Sequence, residues 1–197
     1  MARYNPQTDG ISFKLSKIKL LEKRDVNVSP FRKGEDEISY ILITTDGGEP
    51  RIVPSNGYFS MEKDEERSVG DLIYHGRPLQ HGRGPVAYDL RFFEVQKKGN
   101  FGSTVNGILK SQGTQISALV GTANPAAGVI TKIATDTAQI IIKALNGPKQ
   151  VAHISGLLEN LSGDPYKTVT REWKQKANAI RATFVCDVVQ DLVQPRR

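Results

Sequence analysis

The sequence predicts an α+β chain: an antiparallel β-sandwich interrupted by a helical hairpin and a third short helix. Three observations lead there. Apolar and polar residues alternate with a period of two through much of the first hundred residues. The pattern switches to a helical period at about Gly99-Asn100, where charged side chains become scarce. Alternation then returns after Asp164-Pro165. The expected organisation is therefore residues 1–100 as the first part of the sandwich, 101–163 as the helical insertion and 164–197 as the strands that complete it.

Taken in order, Ile11, Phe13 and Leu15 alternate with Ser12, Lys14 and Ser16, as in a half-buried strand. Ile18 and Leu20 fall on the opposite parity, which marks a bulge or the end of that strand. After a turn-rich stretch from Arg24 to Gly34, residues 38–45 are rich in β-branched side chains and close on the turn sequence Asp46-Gly47-Gly48. Short strands are expected at Arg51–Val53, Gly57–Met61 and Asp71–Tyr74. A longer one runs from Val86 to Val95, with Val86, Tyr88, Leu90 and Phe92 on one face. Many short strands separated by turns indicate an antiparallel sandwich.

Residues 101–147 hold only four charged side chains, Lys110, Lys132, Asp136 and Lys143. Val105, Ile108, Leu109, Ile116, Leu119 and Val120 fit a first helix that breaks at Gly121. Asn124-Pro125 is a helix start and Asn146-Gly147 a stop for the second, whose stripe is Val129, Ile130, Ile133, Ile140, Ile141 and Leu145. Val151, Ile154, Leu157, Leu158 and Leu161 predict the third helix, from Pro148 to Gly163. Tyr166–Trp173 and Ile180–Val188 close the chain as strands, the last pairing back into the N-terminal sheet.

The strand count and spacing, the Gly34–Glu37 turn feeding Ile38, and the Val86–Val95 strand together resemble a C2-like β-sandwich over about 130 residues. That resemblance implies loop aspartates able to coordinate calcium. Asp25, Asp46, Asp64 and Asp71 lie in predicted loops, but not in a pattern of two calcium loops, and calcium needs six to eight oxygens at about one point. No resident cofactor is expected, calcium being the one candidate ion.

Charge and motif content narrow the function classes. Twenty-seven Lys and Arg against 21 Asp and Glu leave a net charge of +6, with the first hundred residues almost neutral. The basic residues are scattered, without the aromatic-interleaved stripe of a nucleic-acid binder. The Lys14-Lys17-Lys19-Lys23-Arg24 run reads as a solvated strand face and its turn. The single Cys186 excludes an intrachain disulfide and reads as a buried thiol. No nucleophile elbow, phosphate loop or dinucleotide fingerprint occurs, so the chain reads as a non-enzyme. The acidic runs Glu35–Glu37 and Glu62–Glu66 read as exposed turn charge.

Two candidate binding regions remain. His75, Arg77, His81 and Arg83 lie in a Gly-rich loop with His-Gly-Arg repeated six residues apart, chemistry suited to an anionic ligand or lipid headgroup. The low-charge helices, through Ile108, Ile116, Val129, Ile133, Ile140 and Ile141, are candidates for contact with a protein partner or further copies of the chain. The expectation is a self-associating interaction module. A pore-forming effector using the 101–147 hairpin and a structural subunit of a larger particle are the alternatives. A polar N-terminus predicts a cytoplasmic protein, or one exported without a cleaved leader.

Overall fold

The structure, a computed structural model, describes residues 10–22, 36–76, 86–95, 100–120, 127–145, 148–158, 170–177 and 179–189. These form strands β1 (Gly10–Leu20), β2 (Asp36–Thr45), β3 (Arg51–Pro54), β4 (Phe59–Met61), β5 (Glu66–Gly76) and β6 (Val86–Glu94). Helices α1 (Phe101–Ser117) and α2 (Ala127–Ala144) follow, then strands β7 (Lys149–Leu158), β8 (Thr170–Ala177) and β9 (Ile180–Val189). Two antiparallel sheets result. An outer sheet runs β5-β1-β9-β8, and a central sheet runs β3-β2-β6-β7 with β4 also on β2. The helices are inserted between β6 and β7, which pair with each other. This is a mixed α+β, sandwich-like architecture, and its C2 likeness goes no further than that.

Two apolar cores share the central sheet. Between the sheets pack Leu15, Ile18 and Leu20 of β1, Tyr40 and Leu42 of β2, Tyr88, Leu90 and Phe92 of β6, and Phe184 of β9. On the far side of the central sheet, Ile41, Ile43, Ala87 and Phe93 meet Phe101, Val105 and Ile108 of α1 and Ile130, Ala134, Ala138 and Ile141 of α2. A strand covered on both faces cannot show polar alternation. Accordingly β6 is buried at every position except its last.

Local chemistry sets the element ends. The register of β1 against both neighbours shifts between Leu15 and Lys17, so the expected parity change is a bulge at Ser16. It keeps Leu15, Ile18 and Leu20 in the core and turns Lys17 outward. In the Asp46-Gly47-Gly48 turn, Gly47 has φ of 100°, and the Gly48 amide donates to Asp46 Oδ1 at 3.1 Å. Asn100 caps α1, its Oδ1 accepting from the Ser103 amide at 3.0 Å. The expected α2 start at Asn124-Pro125 and stop at Asn146-Gly147 lie outside the described residues.

The third helix is not formed. Residues 149–158 are strand β7, paired antiparallel to β6 from Val86↔Leu158 to Glu94↔Lys149. The apolar spacing misled for a physical reason: Val151, Ala152 and Ile154 pack in the sandwich core while Leu157 packs under the helices. Apolar residues on both faces of one strand mimic a helical stripe. A second correction concerns Glu37, expected as exposed turn charge. It lies within β2, where only 7% of its surface is exposed.

Candidate functional site

The central sheet carries a polar cluster on the face that bears the helices. Asp89 and Arg91 share the parity of Ala87 and Phe93 on β6, and Arg91 is directly opposite His153 of β7. Asp89 is 0% and Arg91 5% exposed. The Arg91 guanidinium grips the carboxylate in two places, Nε to Oδ1 at 2.5 Å and Nη2 to Oδ2 at 3.0 Å. His153 Nε2 lies 2.9 Å from the same Oδ2, and Arg91 Nη1 donates to Gln150 Oε1 at 3.2 Å. A carboxylate only accepts, so the imidazole donates to it from Nε2–H. The cluster reaches water through His153, whose side chain is 34% exposed, and through the exposed Gln150.

Chemically this is a buried carboxylate holding a cation and orienting an imidazole. That is the supporting half of a nucleophilic site. Among the described residues no hydroxyl or thiol hydrogen-bonds to the His153 ring, and its single polar contact is Asp89. Removing two charges from water costs several kcal/mol per ion, to order of magnitude, which the bidentate geometry and the His153 and Gln150 contacts offset.

Two tyrosines of the central sheet cross the sandwich to the outer one. Tyr40 stacks on Phe59 at 6.0 Å and donates from its hydroxyl to Asp71 of β5. Burial first, then the hydrogen bond to Asp71 and that carboxylate's charge, hold the phenol well above its ordinary value. Tyr88 packs on Phe184 at 5.2 Å and donates to Gln175 Oε1 of β8 at 2.8 Å. The Tyr88 ring passes over Gly156 of β7 so closely that a Cβ there would stand 2.3 Å from its hydroxyl.

Of the anion-loop residues, His75 is placed in β5 by its pairing with Ser12, and Arg77, His81 and Arg83 lie outside the described residues. Of the helix residues, Ile108, Ile116, Ile133 and Ile141 are buried within the chain itself. Ile140 is half-buried, and Val129 is 44% exposed. Their neighbours on the solvent side of α1 are Ser103, Asn106, Gly107, Ser111 and Gln115, with Lys110 the single charge of that helix. On α2 the exposed Lys132 pairs with Asp136.

The aspartates expected in loops are spread out and locally engaged: Asp46 in its turn and Asp64 at 3.6 Å from Lys19. Asp71 lies not in a loop but within β5, opposite Leu15, and accepts from Tyr40. Asp25 lies outside the described residues, as does the Cys186 side chain, whose backbone belongs to β9. Among the described residues no group of three or more metal-ligating side chains converges, and no helix is long and apolar enough to cross a membrane.

Sequence reasoning missed the Asp89–Arg91–His153 cluster. His153 was hidden by the helix expected at that place. The available clue was Asp-Leu-Arg between Tyr88 and Phe92, two opposite charges two residues apart inside an otherwise apolar strand. Comparison with known proteins adds no lineage: no family model matches the chain, and no curated protein matches it.

Proposed function

We propose that this chain is a non-catalytic interaction module that contacts a protein partner, in the first instance a second copy of itself, through the solvent side of α1 and α2. The observation that carries the reading is the division of labour within the hairpin. Its apolar stripe is used internally, against Ile41, Ile43 and Phe93, while the outer side of α1 carries the single charge Lys110 and that of α2 only Lys132, Asp136 and Lys143. A helix facing only water normally bears charges there. Small residues such as Gly107 and Ser111 let another helix approach closely.

The internal use of the stripe favours this reading over a pore-forming effector. Insertion would require α2 to leave the sheet and expose Ile130, Ala134, Ala138 and Ile141 together. A particle subunit would be the same contact repeated through an open rather than a closed symmetry.

The test is light-scattering mass across a concentration series, for the native protein and for Val129→Glu. Val129 is the exposed aliphatic side chain on α2, so the substitution spares the core. The module reading expects a mass that rises to a discrete oligomer, and a charge buried without a partner weakens that association by about tenfold or more. A mass fixed at one chain at every concentration, or an oligomer indifferent to Val129→Glu and to an added Ser111→Arg, overturns it.

A further inference from the structure

A different surface, the solvent face of the outer sheet, carries an inference that is independent of the helical reading. Strand pairing aligns Lys176 of β8 opposite Arg181 of β9, and Arg181 opposite Lys19 of β1, so three cations stand side by side across three strands. The next row along the strands sets the exposed Lys17 opposite the buried Thr183. Adjacent strands are about 4.8 Å apart, and like charges directly opposite one another destabilise a sheet.

Acidic side chains relieve only one side of this row. Lys17 pairs with Glu66 at 3.1 Å and Lys19 with Asp64 at 3.6 Å, both towards β5. On the β8–β9 side, Arg181 and Lys176 have no carboxylate within ion-pair distance among the described residues, and Arg181 Nε is buried with no hydrogen-bond acceptor. The sequence shows the β1 lysines as one solvated run. Only the pairing of β1 with β9, and of β9 with β8, reveals that separate basic residues converge.

We propose that this face docks on an anionic lipid bilayer. The cations Lys176, Arg181, Lys19 and Lys17 spread across three strands of one sheet, with the exposed Ser68 of β5 opposite Lys17. Cations spread across neighbouring strands complement a field of phosphate and carboxylate headgroups, and the lysine stems let the charges adjust in height. Nucleic acid is the weaker match, because strand-tracking sites add aromatic platforms for the bases, and the described outward positions of these two rows carry none.

Sedimentation with vesicles tests this, comparing phosphatidylcholine alone with phosphatidylcholine containing phosphatidylserine. Binding is expected only to the anionic vesicles and is expected to fade as salt screens the contact. Lys176→Gln and Arg181→Gln each weaken it by about fivefold and the pair by roughly 25-fold, whereas Lys110→Gln on α1 leaves it unchanged. Each substitution removes one of two facing like charges, so thermal melting should show both variants folded. Lys176→Gln, an exposed position, carries the test by itself if Arg181→Gln does not fold. The proposal is overturned if the native protein ignores anionic vesicles at low salt. It is equally overturned if Lys110→Gln weakens binding as much as Lys176→Gln, or if a single-stranded oligonucleotide is bound in place of the vesicles. None of these outcomes touches the oligomer test of the helical surface.

Discussion

The two sheets solve opposite problems. The outer sheet has one covered face and one wet face, so β1 and β9 alternate, with Leu15, Ile18, Ala182 and Phe184 inward and Lys17, Lys19 and Arg181 outward. The central sheet is covered twice, by the outer sheet and by the helices, and its middle strands have almost no wet positions. On the outer sheet Lys17 and Lys176 are therefore turned to solvent, while Asp71 of β5 reaches inward to Tyr40. On the central sheet charge is buried and must be satisfied internally, as Asp89, Arg91, Gln150 and His153 do together. Lys17 and Asp89 thus mean different things: a surface contact in one sheet, a built network in the other.

The sharpest way to break this contrast is Asp89→Ala, which leaves Arg91 buried without its carboxylate. We expect a loss of about 3–5 kcal/mol in chemical denaturation, against less than about 0.5 kcal/mol for Lys17→Ala on the wet face of the outer sheet. Equal losses at the two sites would mean that the cluster is not held dry.

A smaller effect should come from the seam between the sheets. Gly156→Ala would push a methyl into the Tyr88 ring, which needs that space to reach Gln175 across the sandwich. Overpacking of this kind costs about 1–3 kcal/mol, and Tyr88→Leu should remove most of the penalty in a double-mutant cycle. An additive cycle would show that the ring does not cover Gly156.

The same contrast explains what was legible in the sequence. Strands β1 and β9 of the outer sheet have the period of two that sequence patterns detect, and even the bulge at Ser16 could be read from the parity of Ile18 and Leu20. Strands β5 and β8 extend beyond the expected Asp71–Tyr74 and Tyr166–Trp173 because their apolar residues do not alternate. The two helices were legible because their apolar stripes face a single layer. Strand β7 was not, since it contributes to both cores and its apolar residues follow no simple alternation. Of the binding features, the low-charge outer side of α1 was visible as composition. The cation row and the Asp89 cluster were not, because each is made by strands far apart in the chain: Lys19 with Arg181, and Asp89 with His153.

The central claim is that the hairpin's inner stripe belongs to the folded core while its outer side is free for contact. Hydrogen exchange on the native protein tests it most directly. The account predicts that amides of β2, β6 and α2 form one slowly exchanging unit, opening together with the stability of the whole domain. Rapid exchange throughout α1 and α2 while β2 and β6 stay protected would contradict it, because the central sheet would then be stable without its second cover.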